Sequence, residues 1–244
     1  MARRYIVRNE DIVSQNEDIF EIIGSEVCHM QVTRKKVFQK LIVNEYLCEI
    51  LEIKKNSIIL KKLMIAPKFG EPNISITLYI GLLKNDKIDF VIQKATEIGV
   101  KNIVCFFSKN VVVKLDTKNK EKRKEKLQVI ANEACKQCGR TDSVKILDFV
   151  MFSQLKCQLK SHELVILAYE NEKQSLKDVL HIALENKVKD VALVIGAEGG
   201  FDISEVNDLQ LLNNVSCVSL GTRILRAETA ALNLLSITMY ELEE

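Results

Sequence analysis

The chain has 244 residues and a net charge of +2; hydrophobic residues make up 47% of it and charged residues 28%. This length suits one large domain or two modest ones, and the apolar fraction excludes global disorder. No stretch is long and apolar enough to span a bilayer, and the N-terminus lacks the apolar segment of a secretory signal, so we expect a cytoplasmic protein with no membrane partner.

Short β-type runs dominate the first 70 residues, and several of them alternate apolar and polar side chains as half-buried strands do. These runs predict a small β-barrel. Pro67 and Pro72 bracket the clearest cluster of structure-breaking residues, so we place a domain boundary there, with domains at 1–70 and 73–244. The runs are residues 5–7, 40–43, 46–51 and 57–60.

After the boundary, predicted strands and helices alternate. A strand at 76–83 precedes a helix that Asn85 and Asp86 would cap and Gly99 would end, and a second helix stops at Gly139. Unbroken apolar strands that alternate with helices predict an α/β fold with a parallel sheet covered on both faces. The later strands are predicted at 103–107, 164–169, 191–195 and 215–220, and a final helix at 225–242.

Seven scattered cysteines indicate reduced thiols in a reducing compartment. Cys135 and Cys138 have CxxC spacing, which is compatible with a metal or redox pair. The chain has no second pair at zinc spacing, and both residues fall in a helix-like run, so we favour helix packing and expect no metal.

Charge is distributed unevenly along the chain. Residues 84–126 contain 12 Lys/Arg and 6 Asp/Glu, a local charge of +6, whereas residues 161–244 contain 6 Lys/Arg and 14 Asp/Glu, a local charge of −8. A basic segment beside an acidic one indicates either a polyanionic partner held by one region or a solvated helix face.

A glycine-bearing turn, Gly-Ala-Glu-Gly-Gly at residues 196–200, follows the predicted strand 191–195. Asp202 and Glu205 have capping-box spacing, and Phe201 and Val206 have the spacing of a hydrophobic staple, so a helix begins directly after the turn. The turn therefore lies at the carboxyl end of a strand, where open α/β sheets bind ligands. Its spacing matches neither the Rossmann fingerprint nor the P-loop, which disfavours nucleoside triphosphate chemistry.

A second turn, residues 221–226, follows the predicted strand 215–220 and carries Arg223 and Arg226. Phosphate or carboxylate groups are the natural partners of two arginines in one short turn. Either turn alone could be a tight strand-to-helix connection. Together they predict a site that wraps one small molecule.

The stretch Gly-Ala-Glu-Gly-Gly-Phe at 196–201, with Leu-Gly-Thr-Arg-Ile-Leu-Arg-Ala-Glu-Thr-Ala at 220–230, resembles the RsmE-type 16S ribosomal RNA (uracil-N3)-methyltransferases of the SPOUT class. Residues 84–100 and 132–140 resemble the first two helices of that family's catalytic domain, where small residues usually occupy the positions of Cys135 and Cys138. Residues 3–7 and 29–34 lie where the family has its PUA-like RNA-binding barrel, but Lys-Lys-Val-Phe at 35–38 replaces the usual Gly-Asp turn. His29 is either a turn or core histidine or an RNA contact.

The resemblance implies an α/β sheet with a C-terminal trefoil knot, a small N-terminal PUA-like β-barrel, a homodimer, and S-adenosylmethionine as cofactor. It implies that the two glycine-bearing turns hold this cofactor, with the strand end at Leu167–Glu170 as a third wall. The implied cofactor-binding residues are Leu167, Tyr169, Ile195, Gly196, Ala197, Glu198, Gly199, Gly200, Leu220, Gly221, Ile224, Leu225 and Arg226.

Uracil N3 is a poor nucleophile until it loses its proton, so the implied reaction needs a base or a cation that stabilises the uracil anion. Arg226 is the candidate for gripping phosphate or stabilising that anion. Glu198 and Glu228 are the candidates for removing the proton or orienting Arg226. Glu228 is alternatively a first-turn helix residue that the helix dipole favours.

The implied partner is 16S ribosomal RNA, held in an assembled or nearly assembled small ribosomal subunit by positive charge. With no tryptophan and 6% aromatic residues, we expect no stacking platform of the kind found in single-strand binders. Two alternatives stay open: methylation of another RNA position, and a non-catalytic RNA-binding assembly factor. The candidate RNA-binding residues are Arg3, Arg4, Arg34, Lys35, Lys36, Lys122, Arg123, Arg140 and Arg223.

Overall fold

The computed structural model describes residues 4–111 and 117–243, which form two compact units. The first unit runs up to Glu71 and also includes the segment Cys135–Asp142. The second unit contains Pro72–Ala134 and the chain from Ser143 onward. The break after Glu71 falls within the cluster bracketed by the two prolines, whereas no sequence pattern marks the segment Cys135–Asp142.

The first unit is built on a six-stranded sheet in the order β1-β4-β5-β6-β3-β2. Neighbouring strands are antiparallel except for β1 and β4, which are parallel. A helix, α1 (Ser25–Val32), lies between β3 and β4 in the chain, and its Met30 is buried in the core with Tyr5 of β1. The strands are β1 (Arg4–Tyr5), β2 (Ile12–Asn16), β3 (Ile19–Ile22), β4 (Lys40–Val43), β5 (Tyr46–Ile53) and β6 (Ile58–Ile65).

The four strand runs predicted in this region overlap β1, β4, β5 and β6, whereas β2, β3 and α1 were not predicted. His29 lies on α1, and its ring meets the Tyr5 ring edge-on with centroids 5.6 Å apart. His29 is therefore a helix residue that packs against Tyr5, and it does not lie in a turn.

The second unit is built on a seven-stranded sheet in which every pair is parallel, as the unbroken apolar strands predicted. Its order is β10-β8-β7-β12-β11-β13, with β9 paired to β8. The strands are β7 (Ser75–Gly81), β8 (Asn102–Phe107), β9 (Lys145–Ile146), β10 (Val150–Met151), β11 (Leu164–Ala168), β12 (Asp190–Ile195) and β13 (Val215–Val218).

Helices bury the strands of this sheet. Alternate strand residues such as Phe106 and Val194 share one core cluster with Leu155 and Val206, which lie on α4 and α6 defined below. A second group, α2, α5 and α7, packs together, and α7 also contacts β7 and β12. The helices are α2 (Asn85–Ile98), α3 (Thr117–Cys138), α4 (Phe152–Leu159), α5 (Leu176–Glu185), α6 (Ile203–Gln210) and α7 (Ala227–Leu242).

Helix ends follow local sequence rules with one exception. Gly99 and Gly139 end α2 and α3 with φ of 122° and 83°, the left-handed conformation that glycine tolerates. The predicted cap at Asn85 and Asp86 is wrong, because α2 already begins at Asn85 and Lys84 occupies the cap position without a side-chain cap bond. The Lys84 N–H at this helix end instead donates to the Glu198 carboxylate, which is distant in sequence.

The predicted capping box of α6 is confirmed. The Asp202 carboxylate accepts a hydrogen bond from the Ser204 backbone N–H at 2.9 Å, and the Asp202 N–H donates to Glu205 Oε2 at 3.0 Å. The hydrogen bonds from Ser204 lower the pKa of Asp202 to about 2. Phe201 and Val206 are both buried in the same core cluster, as a hydrophobic staple requires.

Within the described parts of the chain, no helix has the length and hydrophobicity that crossing a membrane requires.

Candidate active site

A cleft of about 340 Å³ lies at the carboxyl ends of β11 and β12. The first glycine turn forms one wall and residues 224–226 of the second turn form another, so the structure brings the two turns together at one edge of the sheet. Other walls come from the end of β11 and from α2 and α7. The lining residues are Lys87, Ala168, Glu170, Ile195, Gly196, Ala197, Glu198, Gly199, Gly200, Phe201, Ile224, Leu225, Arg226, Ala227 and Ala230.

Close backbone packing holds the first glycine turn. A Cβ placed on Gly199 would lie 2.9 Å from Asn110 Cβ, and the Asn110 side-chain amide donates to the Gly199 carbonyl at 3.1 Å. A Cβ on Gly81, the last residue of β7, would lie 2.9 Å from Ala197 Cα. Gly200 has a φ of 67°, and its N–H donates to the Ala197 carbonyl at 2.9 Å. The turn is therefore packed against two neighbouring segments, and glycine at these positions permits the close approach.

Glu198 and Lys87 line the cleft, and Glu228 completes a charged cluster with them. Glu198 Oε1 accepts a hydrogen bond at 3.1 Å from the Lys84 backbone N–H, which satisfies the N-terminus of α2. Lys87 Nζ lies 3.7 Å from Glu198 Oε1 and 3.5 Å from Glu228 Oε2. The cation that both carboxylates contact is therefore Lys87 and not Arg226, in contrast to the expectation that these glutamates orient Arg226.

Arg226 occupies the N-cap position of α7, and its exposed side chain belongs to the cleft wall. Glu228 lies in the first turn of the same helix, where the dipole favours a carboxylate. Its Oε2 atom is buried and makes no hydrogen bond, so the ion pair with Lys87 is its compensating contact. Glu228 contacts Lys87 and does not itself line the cleft.

Nine of the predicted cofactor residues line the cleft and four do not. Leu167 is fully buried in the sheet core, and the Tyr169 hydroxyl accepts a hydrogen bond from the Asn171 amide at 3.1 Å. Leu220 and Gly221 line a neighbouring cavity of about 540 Å³, because β13 ends at Val218 and the chain turns through Gly221, whose φ is 116°. The nine are Ile195, Gly196, Ala197, Glu198, Gly199, Gly200, Ile224, Leu225 and Arg226.

Ala168 and Glu170, at the strand end implied as the third wall, also line the cleft, and four further lining residues were not predicted: Lys87, Phe201, Ala227 and Ala230. For Lys87 a sequence pattern was present, since it lies in the first turn of the helix that follows a predicted strand of the same sheet. The carboxyl ends of parallel strands share one edge, so the first turns of the helices that follow them are candidates for the site.

Two candidate RNA-binding arginines are internal to the first unit, which corrects their assignment. Arg4 is 7% exposed, its guanidinium donates to the Arg140 carbonyl at 2.5 Å, and burial lowers its pKa. Arg140 is 4% exposed and donates to Glu71 Oε2 at 2.8 Å. Guanidinium groups that are buried and paired in this way are not available to a phosphate.

The other candidate RNA-binding residues differ in exposure. Arg123 Nη2 lies 3.3 Å from Asp89 Oδ1, and the arginine side chain is 12% exposed. This guanidinium is therefore also paired inside the fold and not available to a phosphate. Lys35 is half-buried. Arg3 lies outside the described residues. The exposed members of the set are Arg34, Lys36, Lys122 and Arg223.

The two CxxC thiols bond to backbone carbonyls. Cys138 Sγ donates to the Cys135 carbonyl and Cys135 Sγ to the Asp142 carbonyl, each at 3.7 Å. Across residues 4–111 and 117–243, no three His, Cys, Asp or Glu side chains are grouped so that they could hold a metal ion.

Comparison with known proteins identifies the family. An RNA methyltransferase domain model matches residues 70–239. The chain is 30% identical to ribosomal RNA small subunit methyltransferase E of Bacillus subtilis over 250 residues, which cover 99% of this chain and 97% of that protein. It is 34% identical to the protein of the same name from Mesomycoplasma hyopneumoniae over 167 residues, which cover 68% of this chain and 70% of that one.

Solved structures agree with this assignment. A methyltransferase of Legionella pneumophila, solved with bound SAM, is 25% identical with a TM-score of 0.82 over 98% of each chain. A small subunit methyltransferase E of Neisseria gonorrhoeae, solved with S-adenosyl methionine, shares the fold at 22% identity with a TM-score of 0.83, again over 98% of each chain. With a domain model over most of its length and a relative that matches from end to end, the chain belongs to the ribosomal RNA small subunit methyltransferase E family.

Proposed function

We propose that this protein transfers a methyl group from S-adenosylmethionine to N3 of a uridine in the 16S ribosomal RNA of the small subunit. The observation that carries the proposal is the cleft, because its walls contain the two turns on which the family resemblance rests. The Bacillus subtilis relative is named as a small subunit ribosomal RNA methyltransferase, and the Legionella pneumophila neighbour contains SAM.

The cleft suits S-adenosylmethionine in size and chemistry. Its volume of about 340 Å³ lies within the range of small-molecule sites. Gly196 and Gly199 leave backbone groups open for hydrogen bonds, and Ile195 and Ile224 supply apolar surface. Glu170 brings a carboxylate to a ligand that carries ammonium and sulfonium charge. When bound, the cofactor supplies an electrophilic methyl group.

The chain's own residues have to handle the proton and the negative charge of uracil. Arg226 extends from the N-terminus of α7 into the cleft wall, where its guanidinium would stabilise the anion that forms on the uracil carbonyl oxygens. Glu198 lines the cleft with Oε1 already bonded to the Lys84 N–H, which leaves Oε2 to accept the N3 proton. Lys87 orients Glu198 through an ion pair, and a second ion pair with Glu228 orients Lys87.

The proposal also includes a knotted C-terminal region, a PUA-like first domain, domain limits at 1–70 and 73–244, a homodimer and a cytoplasmic location. The order β12-β11-β13, in which the earliest strand is central, and the meeting of both turns at one cleft support the knot. The six-stranded sheet of the first unit supports the PUA-like assignment. Ile224 and Tyr240, which are 86% and 84% exposed, offer apolar surface to a second copy.

Calorimetric titration with S-adenosylmethionine tests the cleft as the cofactor site. We expect the unmodified protein to bind and Gly199→Val not to bind, because the new side chain would collide with Asn110 and displace the turn that lines the cleft. Asn207→Val, which puts the same side chain on an exposed position of α6, should bind as the unmodified protein does. Equal affinity of all three proteins would show that the cofactor binds elsewhere.

The modified position is tested with ribosomal subunits. Small subunits from cells that lack the protein should gain 3-methyluridine when purified protein and S-adenosylmethionine are added, as measured by nucleoside mass spectrometry. A methyl group on another base or on a ribose would move the activity to a different RNA position. Normal subunit binding without methyl transfer would favour a non-catalytic assembly factor.

A further inference from the structure

Phe38 has an exposed ring and an unfavourable backbone conformation. The residue lies between α1 and β4 in the first unit, is 73% exposed and has a φ of 67°. A bulky L-residue rarely occupies this left-handed region, and the exposed ring gains little from burial in return. Val32 and Val37 in the same segment are 80% and 41% exposed. The segment therefore presents apolar side chains to solvent that the first unit does not cover.

Hydrogen bonds fix the backbone that carries this ring, which we call the Phe38 turn (residues 34–39). The Phe38 N–H donates to the Ile50 carbonyl at 2.8 Å, and the Ile50 N–H donates to the Gln39 carbonyl at 3.1 Å. Within the turn, the Gln39 N–H donates to the Lys36 carbonyl and the Lys36 N–H to Gln39 Oε1, both at 3.1 Å. The turn is thus tied to β5 and closed on itself, so the ring projects from an ordered backbone.

The sequence on either side of Phe38 is positively charged. Residues 32–40 contain four Lys/Arg and no Asp/Glu. The Gln31 amide donates to the Lys54 and Lys55 carbonyls at 2.9 and 3.1 Å, which brings the turn between β5 and β6 beside the end of α1. The turn between β5 and β6 therefore lies beside the end of the helix that leads into the Phe38 turn, and the cations closest in sequence to the ring are Arg34, Lys35 and Lys36.

We propose that the Phe38 turn is a stacking site for one unpaired nucleotide of the RNA substrate. This inference rests on the proposed function. Sequence-tolerant recognition of unpaired nucleotides combines an aromatic face for the base with cations for the adjacent phosphates, and this turn has both. Arg34 and Lys36, both exposed, take the phosphates, and the Phe38 ring takes the base. The site is a single ring and not the multi-residue platform that the aromatic content argues against.

Phe38→Gly provides the decisive variant, because its effects on folding and on binding have opposite signs. Glycine adopts a φ of 67° without strain, so the variant should be at least as stable as the unmodified protein. Its affinity for a labelled single-stranded RNA 12-mer, measured by fluorescence anisotropy at fixed salt, should fall about five- to tenfold through the lost base stacking. Affinity for a blunt RNA duplex of the same sequence should stay unchanged.

Matched variants separate stacking from general effects. Phe38→Trp should retain or improve single-strand affinity, since it preserves a flat aromatic face. Ile65→Ser removes an apolar side chain that is 69% exposed elsewhere in the first unit and should bind RNA normally. Lys36→Gln should weaken both RNAs and reduce the slope of log affinity against log salt by about 1.

Three results would overturn the inference: full single-strand affinity in Phe38→Gly, an equal loss for strand and duplex, or a loss reproduced by Ile65→Ser. Failure of the proposed function has a different readout, namely no S-adenosylmethionine binding and no RNA binding by the unmodified protein. Calorimetry on Phe38→Gly should give the same S-adenosylmethionine affinity as the unmodified protein, so the two failures cannot be confused.

Discussion

Lys87 is the residue on which the polar side of the cleft depends. It is the shared cation of Glu198 and Glu228, and the Oε2 atom of Glu228 is buried without a hydrogen bond. Truncating one member of such a set leaves the remaining charges partly buried and unpaired, which costs more than the pair itself contributes. Lys87 therefore fixes the geometry of Glu198, which lines the cleft.

Lys87→Met should lower kcat on the order of 10²-fold, the scale of removing one electrostatic contact from a reaction centre. Lys87→Arg should recover part of the activity. Lys94→Met, which removes a lysine paired with Glu97 on the same helix, is the control. A normal kcat in Lys87→Met, or no recovery in Lys87→Arg, would contradict the role assigned to Lys87.

Arg226→Ala should reduce kcat about 10²- to 10³-fold if the guanidinium stabilises the uracil anion. Arg223→Ala removes an arginine from the same turn that is exposed and does not line the cleft, so it should affect RNA affinity more than kcat. Single-turnover methyl transfer at saturating RNA distinguishes these effects. Normal transfer by Arg226→Ala would exclude the assignment.

Residues of the candidate site could be predicted from the sequence where they lie within one short motif. Glu198, Arg226 and the glycines are local to the two turns, and the cleft contains them. Lys87 was not predicted, because its contact with Glu198 joins parts of the chain 111 positions apart (198 − 87) and exists only after the strands pair. Arg4 was misassigned because a sequence cannot show that the segment Cys135–Asp142 buries it.

At the scale of elements, the active site depends on how closely β7 approaches the first glycine turn. Gly81 ends β7 directly against the backbone of Ala197. Overpacking of this kind forces backbone shifts that cost typically about 1–3 kcal/mol. The displaced segment is the turn that lines the cleft, although Gly81 itself does not line it.

Gly81→Ala should therefore lower thermal stability and weaken S-adenosylmethionine binding about tenfold, the equivalent of about 1.4 kcal/mol in affinity. The weaker binding follows from displacement of the turn and not from lost ligand contacts. Ser75→Ala, at the start of the same strand, should change neither quantity by a comparable amount. Normal affinity in a destabilised Gly81→Ala protein would show that the turn adjusts independently of β7.

Elements were predictable where local sequence alone determines them. The apolar strands of the parallel sheet and the α6 capping box carry their own patterns. In contrast, β2 contains Ser14 and Asn16 and is a strand because β3 pairs with it, with an irregularity between Ile12 and Ser14. Tertiary pairing overrides local propensity at such an edge.

At the scale of the whole molecule, several titratable groups are buried in neutral form. Burial raises the pKa of Cys48 to about 11 and the pKa values of Tyr79, Cys105 and Cys217 to about 12. In the unfolded chain, thiols ionise near pH 8.5 and tyrosine near pH 10. The folded state therefore binds more protons than the unfolded state at alkaline pH, and its stability falls as pH rises.

We expect the urea midpoint to be nearly constant between about pH 6 and 8 and to fall progressively between about pH 8.5 and 12. The direction follows because each of these groups has a higher pKa in the folded state than in the unfolded state. Their contribution to stability is complete at a pH below the unfolded-state pKa and is lost as the pH rises to the folded-state pKa. Cys105→Ala should make the decline less steep while lowering stability at pH 7. A midpoint independent of pH up to 11 would contradict this expectation.

The first unit contains a segment that is remote in sequence, Cys135–Asp142. It carries the Lys136 partner of Glu26 and the Arg140 partner of Glu71. A ribosome making this chain releases residues in order, so 63 further residues, 72 to 134, must emerge before this segment can join the unit. The N-terminal unit is therefore expected to finish folding late in translation, and its strands must avoid non-native pairing until then.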